Sequence, residues 1–262
     1  MNYKTIEIST RNEVVTLWLN RPDKHNALNP HLIREVIHFF REIENNSGVR
    51  IIVLRGKGAS FCAGADLNWM KESAVRGEEE NLKDSQLLSD FFSTIYHSSK
   101  ITIAVVNGNS YGGGNGLIAA CDLSYGLHNC RFSLSETRLG LIAATITPLM
   151  LQRLQPAVYK SLVFTAMPFN GTEAKEFGLL NQVFETNTIL DIYLDKVMDA
   201  MLKGGPNALS GSKQLINDLL DPAKSDEVKR NIPQILASIK VTDEAREGFA
   251  AFLEKRKPNW QN

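Results

Sequence analysis

The stretch from Ile101 to Gly116, ITIAVVNGNSYGGGNG, constrains this 262-residue chain more than any other. Its first six residues, Ile101 to Val106, are β-branched or apolar and predict a buried strand. A turn at Asn107-Gly108 follows, then three consecutive glycines, Gly112 to Gly114, and LIAAC continues as good helix sequence. Glycine has no Cβ to hold a ligand away, and the first N–H groups of a helix have no partner inside it. The helix dipole makes that end electropositive. Strand, glycine turn and helix together therefore predict a pocket suited to a negative oxygen. A plain strand-to-helix connection has no need of three glycines, which destabilise a chain unless something must approach the backbone closely.

The chain is long enough to bury a large core, and its 43% hydrophobic and 22% charged residues are ordinary for a soluble globular protein. Lys plus Arg equals Asp plus Glu, 29 against 29, so no global field favours nucleic acid or an acidic membrane as the main partner. The opening MNYKTIEISTRNEVV lacks an apolar signal region, and the greasiest stretch, Leu139 to Leu151, is too short and interrupted to span a bilayer. Three cysteines (Cys62, Cys121, Cys130) show no metal spacing and fit reduced thiols, so a cytoplasmic location is expected.

Along the chain, Val14 to Leu19 reads as a strand and Asn29-Pro30 as a helix start, with Leu32, Ile33, Val36, Ile37, Phe40 and Ile43 on one helical face. A second strand, Arg50 to Leu54, runs into FCAGADLNWM. Residues 70–84 are charged with little apolar periodicity and predict an exposed or mobile segment; helical periodicity resumes at Ser85. Strands are expected at 121–127, 131–135 and 180–185, and helices at 148–154, 157–165, 172–178, 188–202, 206–218, 225–239 and 243–256. Strands alternate with helices at first and helices dominate at the end, predicting an α/β core over 1–200 and a helical lobe over 201–262.

Gly108-Asn-Ser110-Tyr-Gly112 matches the nucleophile elbow of serine hydrolases. That chemistry needs a histidine further along, and of five histidines only His128 follows Ser110, on the strand that carries Asp122 and too near for the separate loop an elbow uses. No dinucleotide or P-loop glycine spacing occurs. The run Phe61-Cys-Ala-Gly-Ala-Asp-Leu67 is a second small-residue turn after a strand. Two such turns could aim backbone N–H groups at one oxygen, an oxyanion hole, although spacing alone also allows two unrelated turns. Glu136 precedes an apolar stretch that would raise its pKa toward neutral, where it could exchange protons; a surface glutamate paired with Arg138 fits the same residues.

Taken together, these stretches resemble the enoyl-CoA hydratase/isomerase (crotonase) superfamily, and the resemblance runs nearly end to end. It begins at Arg21-Pro22 and Lys24-His25-Asn26-Ala27-Leu28 and continues through CAGADL, NGNSYGGGNGL and SETRLGL. EAKEFGLLNQVF and REGFAAFLEKRKPNW complete it. The resemblance implies a spiral of ββα turns with a C-terminal helical domain, assembled as trimers or dimers of trimers. It implies that the N–H groups of Ala65 and Gly113 hold the thioester oxygen of an acyl-CoA. Ala27, Ala63, Asp66 and Leu67 would lie along the coenzyme A, Lys24 near its phosphates, and Phe252 and Lys255 near its nucleotide. Coenzyme A would enter as part of the substrate, with no other cofactor. An RNA-binding or non-catalytic member of the same fold is the alternative class, and the balanced charge disfavours RNA.

The chain departs from the standard hydratases, which carry two glutamates. After the glycine triplet it has Asn115 and Gly116 in place of the first, and Glu136 retains the second. The resemblance then leaves three outcomes: Glu136 handles water alone or with a carboxyl from Glu72, Glu78, Glu79, Glu80 or Asp84; the substrate's own carboxylate positions water; or the enzyme is an isomerase, dehydratase or decarboxylase. The GADLNWM run, SETRLGL and Gly116 resemble the methylglutaconyl-CoA hydratase-like branch most, and a hydro-lyase is expected.

Overall fold

Local sequence explains most elements of the computed structural model, which describes residues 3–261. The hairpin β1 (Ile6–Arg11) to β2 (Val14–Leu19) turns at Asn12, whose φ of 54° is a left-handed conformation that asparagine tolerates. Helix α1 (Pro30–Glu44) starts where Asn29 accepts the Leu32 N–H at 2.9 Å and Pro30 takes the first position. Its apolar face, Leu32, Ile33, Val36, Ile37, Phe39 and Phe40, is buried.

A repeated corner then builds the fold. A strand of one sheet turns through two or three residues into a three-residue strand of a second sheet. It occurs in β3 (Ile51–Gly56) to β4 (Ser60–Cys62), β5 (Ile101–Val106) to β6 (Asn109–Tyr111) and β7 (Leu123–Leu127) to β8 (Arg131–Ser133). The helices after β4 and β6 are α2 (Leu67–Ser73), α3 (Glu78–Tyr96) and α4 (Gly113–Ala120). With α5 (Thr147–Arg153), α6 (Pro156–Thr165), β9 (Phe169–Asn170), α7 (Gly171–Phe177) and β10 (Gln182–Phe184), the larger sheet has the order β1-β2-β3-β5-β7-β10 and the smaller β4-β6-β8-β9. Among the described residues only the β1–β2 and β8–β9 pairs are antiparallel. Successive corners are tied by side-chain amides: Asn107 accepts from the Gly56 N–H at 3.3 Å and donates to Gly56 O at 2.9 Å. This is the ββα spiral that the resemblance implied.

Residues 70–84 are exposed as expected but are mainly helical, within α2 and α3. Periodic burial does not hold them. Instead Arg76 pairs with Glu72 (2.8 Å) and Asp84 (2.7 Å), Trp69 Nε1 donates to Asp84 at 2.7 Å, and Glu78 to Glu80 occupy the favourable first turn of α3. Three strands are shorter than expected: β7, β8 and β10, the last expected over 180–185. Asp122 takes the Thr102 N–H and hydroxyl at 2.7 and 2.8 Å just before β7 begins, and Ser133 O receives Gly112 N–H and Asn115 Nδ2 rather than extending a ladder.

The chain divides into two compact units inside α8 (Asn187–Leu202), between Ile192 and Tyr193. The second unit holds α9 (Pro206–Leu220), α10 (Ser225–Lys240) and α11 (Asp243–Leu253). Within it Glu244 accepts the N–H groups of Asn207 and Ala208 at the start of α9, and Arg256 makes a two-pronged pair with Glu247 at 2.6 and 2.8 Å. Among the described residues no helix is long and apolar enough to cross a membrane.

Candidate active site

Three loops of the first unit meet at the start of α4. The loop 21–28 is stapled to the β3–β4 corner by the fully buried Asn26, whose Nδ2 donates to Lys57 O and Ser60 O at 2.9 and 2.8 Å. The loop after β4 is stitched to the first one: Leu28 N–H donates to Gly64 O at 2.7 Å and Asp66 N–H to Leu28 O at 2.8 Å. This one-residue parallel bridge pairs Leu28 with Ala65, and the N–H of Ala65 takes no part in it. Gly64 has φ +84°, and a Cβ there would lie 2.9 Å from Tyr111 O and 3.7 Å from the nitrogen of Gly113. The Ala65 and Gly113 loops therefore adjoin with no room for a side chain between them. Among the described residues, neither the Ala65 nor the Gly113 N–H donates to a protein acceptor. Gly113 opens α4, so the helix dipole adds positive potential there.

Glu136 stands beside this gap, in a 3-10 turn (Glu136–Leu139) rather than at a strand end. A Cβ on Gly112, itself at φ +48°, would sit 3.0 Å from Glu136 Oε1. Glu136 Oε2 is buried without a hydrogen-bond partner, and burial pushes this carboxyl above the ordinary glutamate range against the opposing pull of its own backbone N–H. The alternative of a surface ion pair with Arg138 fails, because Arg138 bonds Thr165 O and Glu136 is half-buried. Tyr159, hydrogen-bonded to the Thr147 hydroxyl at 2.8 Å, also feels the Glu136 charge after its own burial.

Gly116 lies one turn into α4. Its Cβ direction is blocked by Ile146, whose Cγ2 and Cβ (the latter 2.9 Å away) would collide with it, and by Phe92 Cε1 at 3.1 Å. The direction at Gly113 meets Leu28 Cδ1 at 2.9 Å and Phe92 Cζ at 3.8 Å. An apolar wall of Leu28, Phe92 and Ile146 thus covers the first turn of α4. Sequence reasoning missed this wall, since each of the three looks like any other core residue.

The remaining expected residues divide by environment. Ala27 is buried, Ala63 is half-buried and donates its N–H to His25 O at 3.0 Å, and Lys24 and Leu67 are exposed. Asp66 is buried with its carboxylate engaged: burial raises its pKa, but Arg21 at 2.7 Å and the Asn68 N–H at 2.9 Å outweigh this and hold it below the usual range. Its side chain therefore caps α2 and anchors the loop. Phe252 and Lys255 are exposed in the C-terminal unit. The serine elbow does not form, because Ser110 is fully buried in β6 and His128 bonds Phe184 O and faces Glu185. Nor do Glu72 and Asp84 stand free as second acids, both being paired with Arg76.

The sequence profile described as enoyl-CoA hydratase/isomerase matches residues 9–262. The chain belongs to this family. It is 31% identical over 267 residues to the crotonyl-CoA hydratase of Syntrophomonas wolfei, covering 99% of each chain. It is 30% identical over 278 residues to the peroxisomal Δ3,5-Δ2,4-dienoyl-CoA isomerase of Arabidopsis thaliana, covering 99% of this chain and 98% of that one. The crystal structure of an enoyl-CoA hydratase from Shewanella pealeana superposes with a TM-score of 0.93 at 32% identity, over 98% of this chain and 96% of the other. As a member the chain is an enzyme, a hydro-lyase or an isomerase of acyl-CoA thioesters. Two N–H donors without acceptors beside one desolvated carboxyl are what enolate chemistry requires: charge stabilised at oxygen and a proton moved at carbon.

Proposed function

We propose that the protein is an enoyl-CoA hydro-lyase with a single carboxylate. The Ala65 and Gly113 N–H groups hold the thioester oxygen. Water adds at the β-carbon as Glu136 takes its proton, and the electron pair of the double bond moves onto the oxygen as an enolate. Glu136 then returns the proton to the α-carbon, so the net change is one water added, and the reverse order removes it. Because the two N–H groups favour the enolate over the neutral carbonyl, they accelerate the step rather than merely tighten binding. The coenzyme A portion runs along Lys24, Ala27, Ala63, Asp66 and Leu67, with Phe252 and Lys255 of a neighbouring subunit at its nucleotide. A methylglutaconyl-type acyl group fits the resemblance of GADLNWM, SETRLGL and Gly116 to that branch. The active form is a trimer or dimer of trimers in the cytoplasm.

The observation that carries this reading is the buried, unpartnered Oε2 of Glu136 beside the Gly112 turn. The hydratase names of relatives favour water addition. The apolar wall over Gly116 and the isomerase relative favour a second reading, a proton shift between α- and γ-carbons by Glu136 without water. Crotonyl-, methylglutaconyl- and 3-enoyl-CoA incubated in ¹⁸O-water and followed by mass spectrometry separate the two. Hydration adds 20 mass units (the mass of one ¹⁸O water); isomerisation leaves the mass unchanged. Glu136→Gln is expected to lower kcat by about 10²–10⁴-fold with acyl-CoA still bound. Full activity in that variant removes Glu136 from the mechanism.

A further inference from the structure

We propose that Ile146, backed by Phe92, determines which acyl groups fit beside the Gly113 N–H. This rests on the reading above, in which that N–H holds the thioester oxygen. Phe92 reaches the Cβ directions of both Gly113 and Gly116, so it spans from the oxygen-holding amide to the next turn of α4. Ile146 closes the far end of the same wall, and both side chains are only 2% exposed. On that reading, an acyl chain with its carbonyl at Gly113 starts beside Leu28 and Phe92, and Ile146 limits how far it extends along α4.

Ile146 is also held in place. It immediately precedes α5, whose first turn is pinned from two sides. The Thr147 hydroxyl donates to Ala143 O at 2.7 Å and pairs with the Tyr159 hydroxyl at 2.8 Å, and Ala143 O also receives the Thr147 N–H at 3.0 Å. A β-branched side chain has little χ1 freedom, so Ile146 cannot swing clear of a group placed at residue 116. Gly116 and Ile146 thus form a complementary pair, with space surrendered on α4 and filled from the residue before α5.

Two measurements test this. In thermal unfolding, Gly116→Ala is expected to lower Tm or prevent folding, while Gly116→Ala with Ile146→Ala recovers most of the loss relative to Ile146→Ala alone. Additive effects would overturn the complementary pair. In calorimetry, the saturated thioesters butyryl-CoA and 3-methylbutyryl-CoA bind without turnover. In Ile146→Ala the ratio of their dissociation constants is expected to shift about tenfold or more toward the branched one. An unchanged ratio with both thioesters still bound overturns the specificity role alone. Failure of wild-type protein to bind either thioester overturns the acyl-CoA reading itself.

Discussion

Glu136 combines two physical roles that oppose each other. Its carboxyl is desolvated and one oxygen has no partner, so ionising it disfavours the folded state while making it a stronger base. The folded-state pKa is raised, so the native protein holds this proton more tightly than the unfolded chain does. Stability is then full below the unfolded pKa and falls as pH rises through the folded value. Glu136→Gln is therefore expected to raise Tm at neutral pH, with the gain vanishing at acidic pH where the wild-type group is also neutral. A lower Tm at neutral pH would contradict the burial penalty. The acidic limb of kcat/KM is expected above the ordinary glutamate range, because the mechanism starts from the carboxylate. Motif order made Glu136 and the Ala65 and Gly113 loops legible in the chain itself. Ile146 was not, because its role exists only where residue 116 has no side chain and a distant turn fills the space.

At the scale of elements, helix starts were the most readable features, since a cap and an N1 proline act through bonds between near neighbours. Asn29→Ala is expected to lower stability by about 1 kcal/mol in denaturant unfolding, because one N–H at the start of α1 loses its acceptor. Glu35, on the same helix, is a buried carboxylate. Burial raises its pKa, but the Thr5 hydroxyl and the N–H groups of Lys4 and Thr5 reverse this, so its pKa is lowered. It contributes stability above the unfolded glutamate pKa that is lost as pH falls through the folded one. Glu35→Gln is expected to flatten the acid limb of a stability–pH curve; an unaltered limb would count against this. The three-residue strands β4 and β6 escaped the pattern because they are too short to show alternation and are held by partners distant in sequence.

For the molecule as a whole, exposed apolar side chains are where the proposed assembly is tested. Leu139, Leu141, Ile142, Phe164 and Met167 are exposed in the first unit, where the Thr137 hydroxyl ties the Glu136 turn to Val163 O of α6 at 2.9 Å. Light scattering is expected to give three or six times the mass of one chain, and Ile142→Glu to reduce it; a wild-type monomer would rule out the proposed trimer. The amino-acid sequence by itself determined the strand–glycine–helix order and the Asn29-Pro30 start of α1, and it made Glu136 a candidate for proton transfer, because these depend on residues close together in the chain. Only the tertiary structure decided that two loops adjoin with unclaimed N–H groups, that Glu136 is desolvated rather than paired with Arg138, and that Ile146 fills the space above Gly116. Each of those depends on atoms brought together from far apart in sequence, and periodicity carries no information about such encounters.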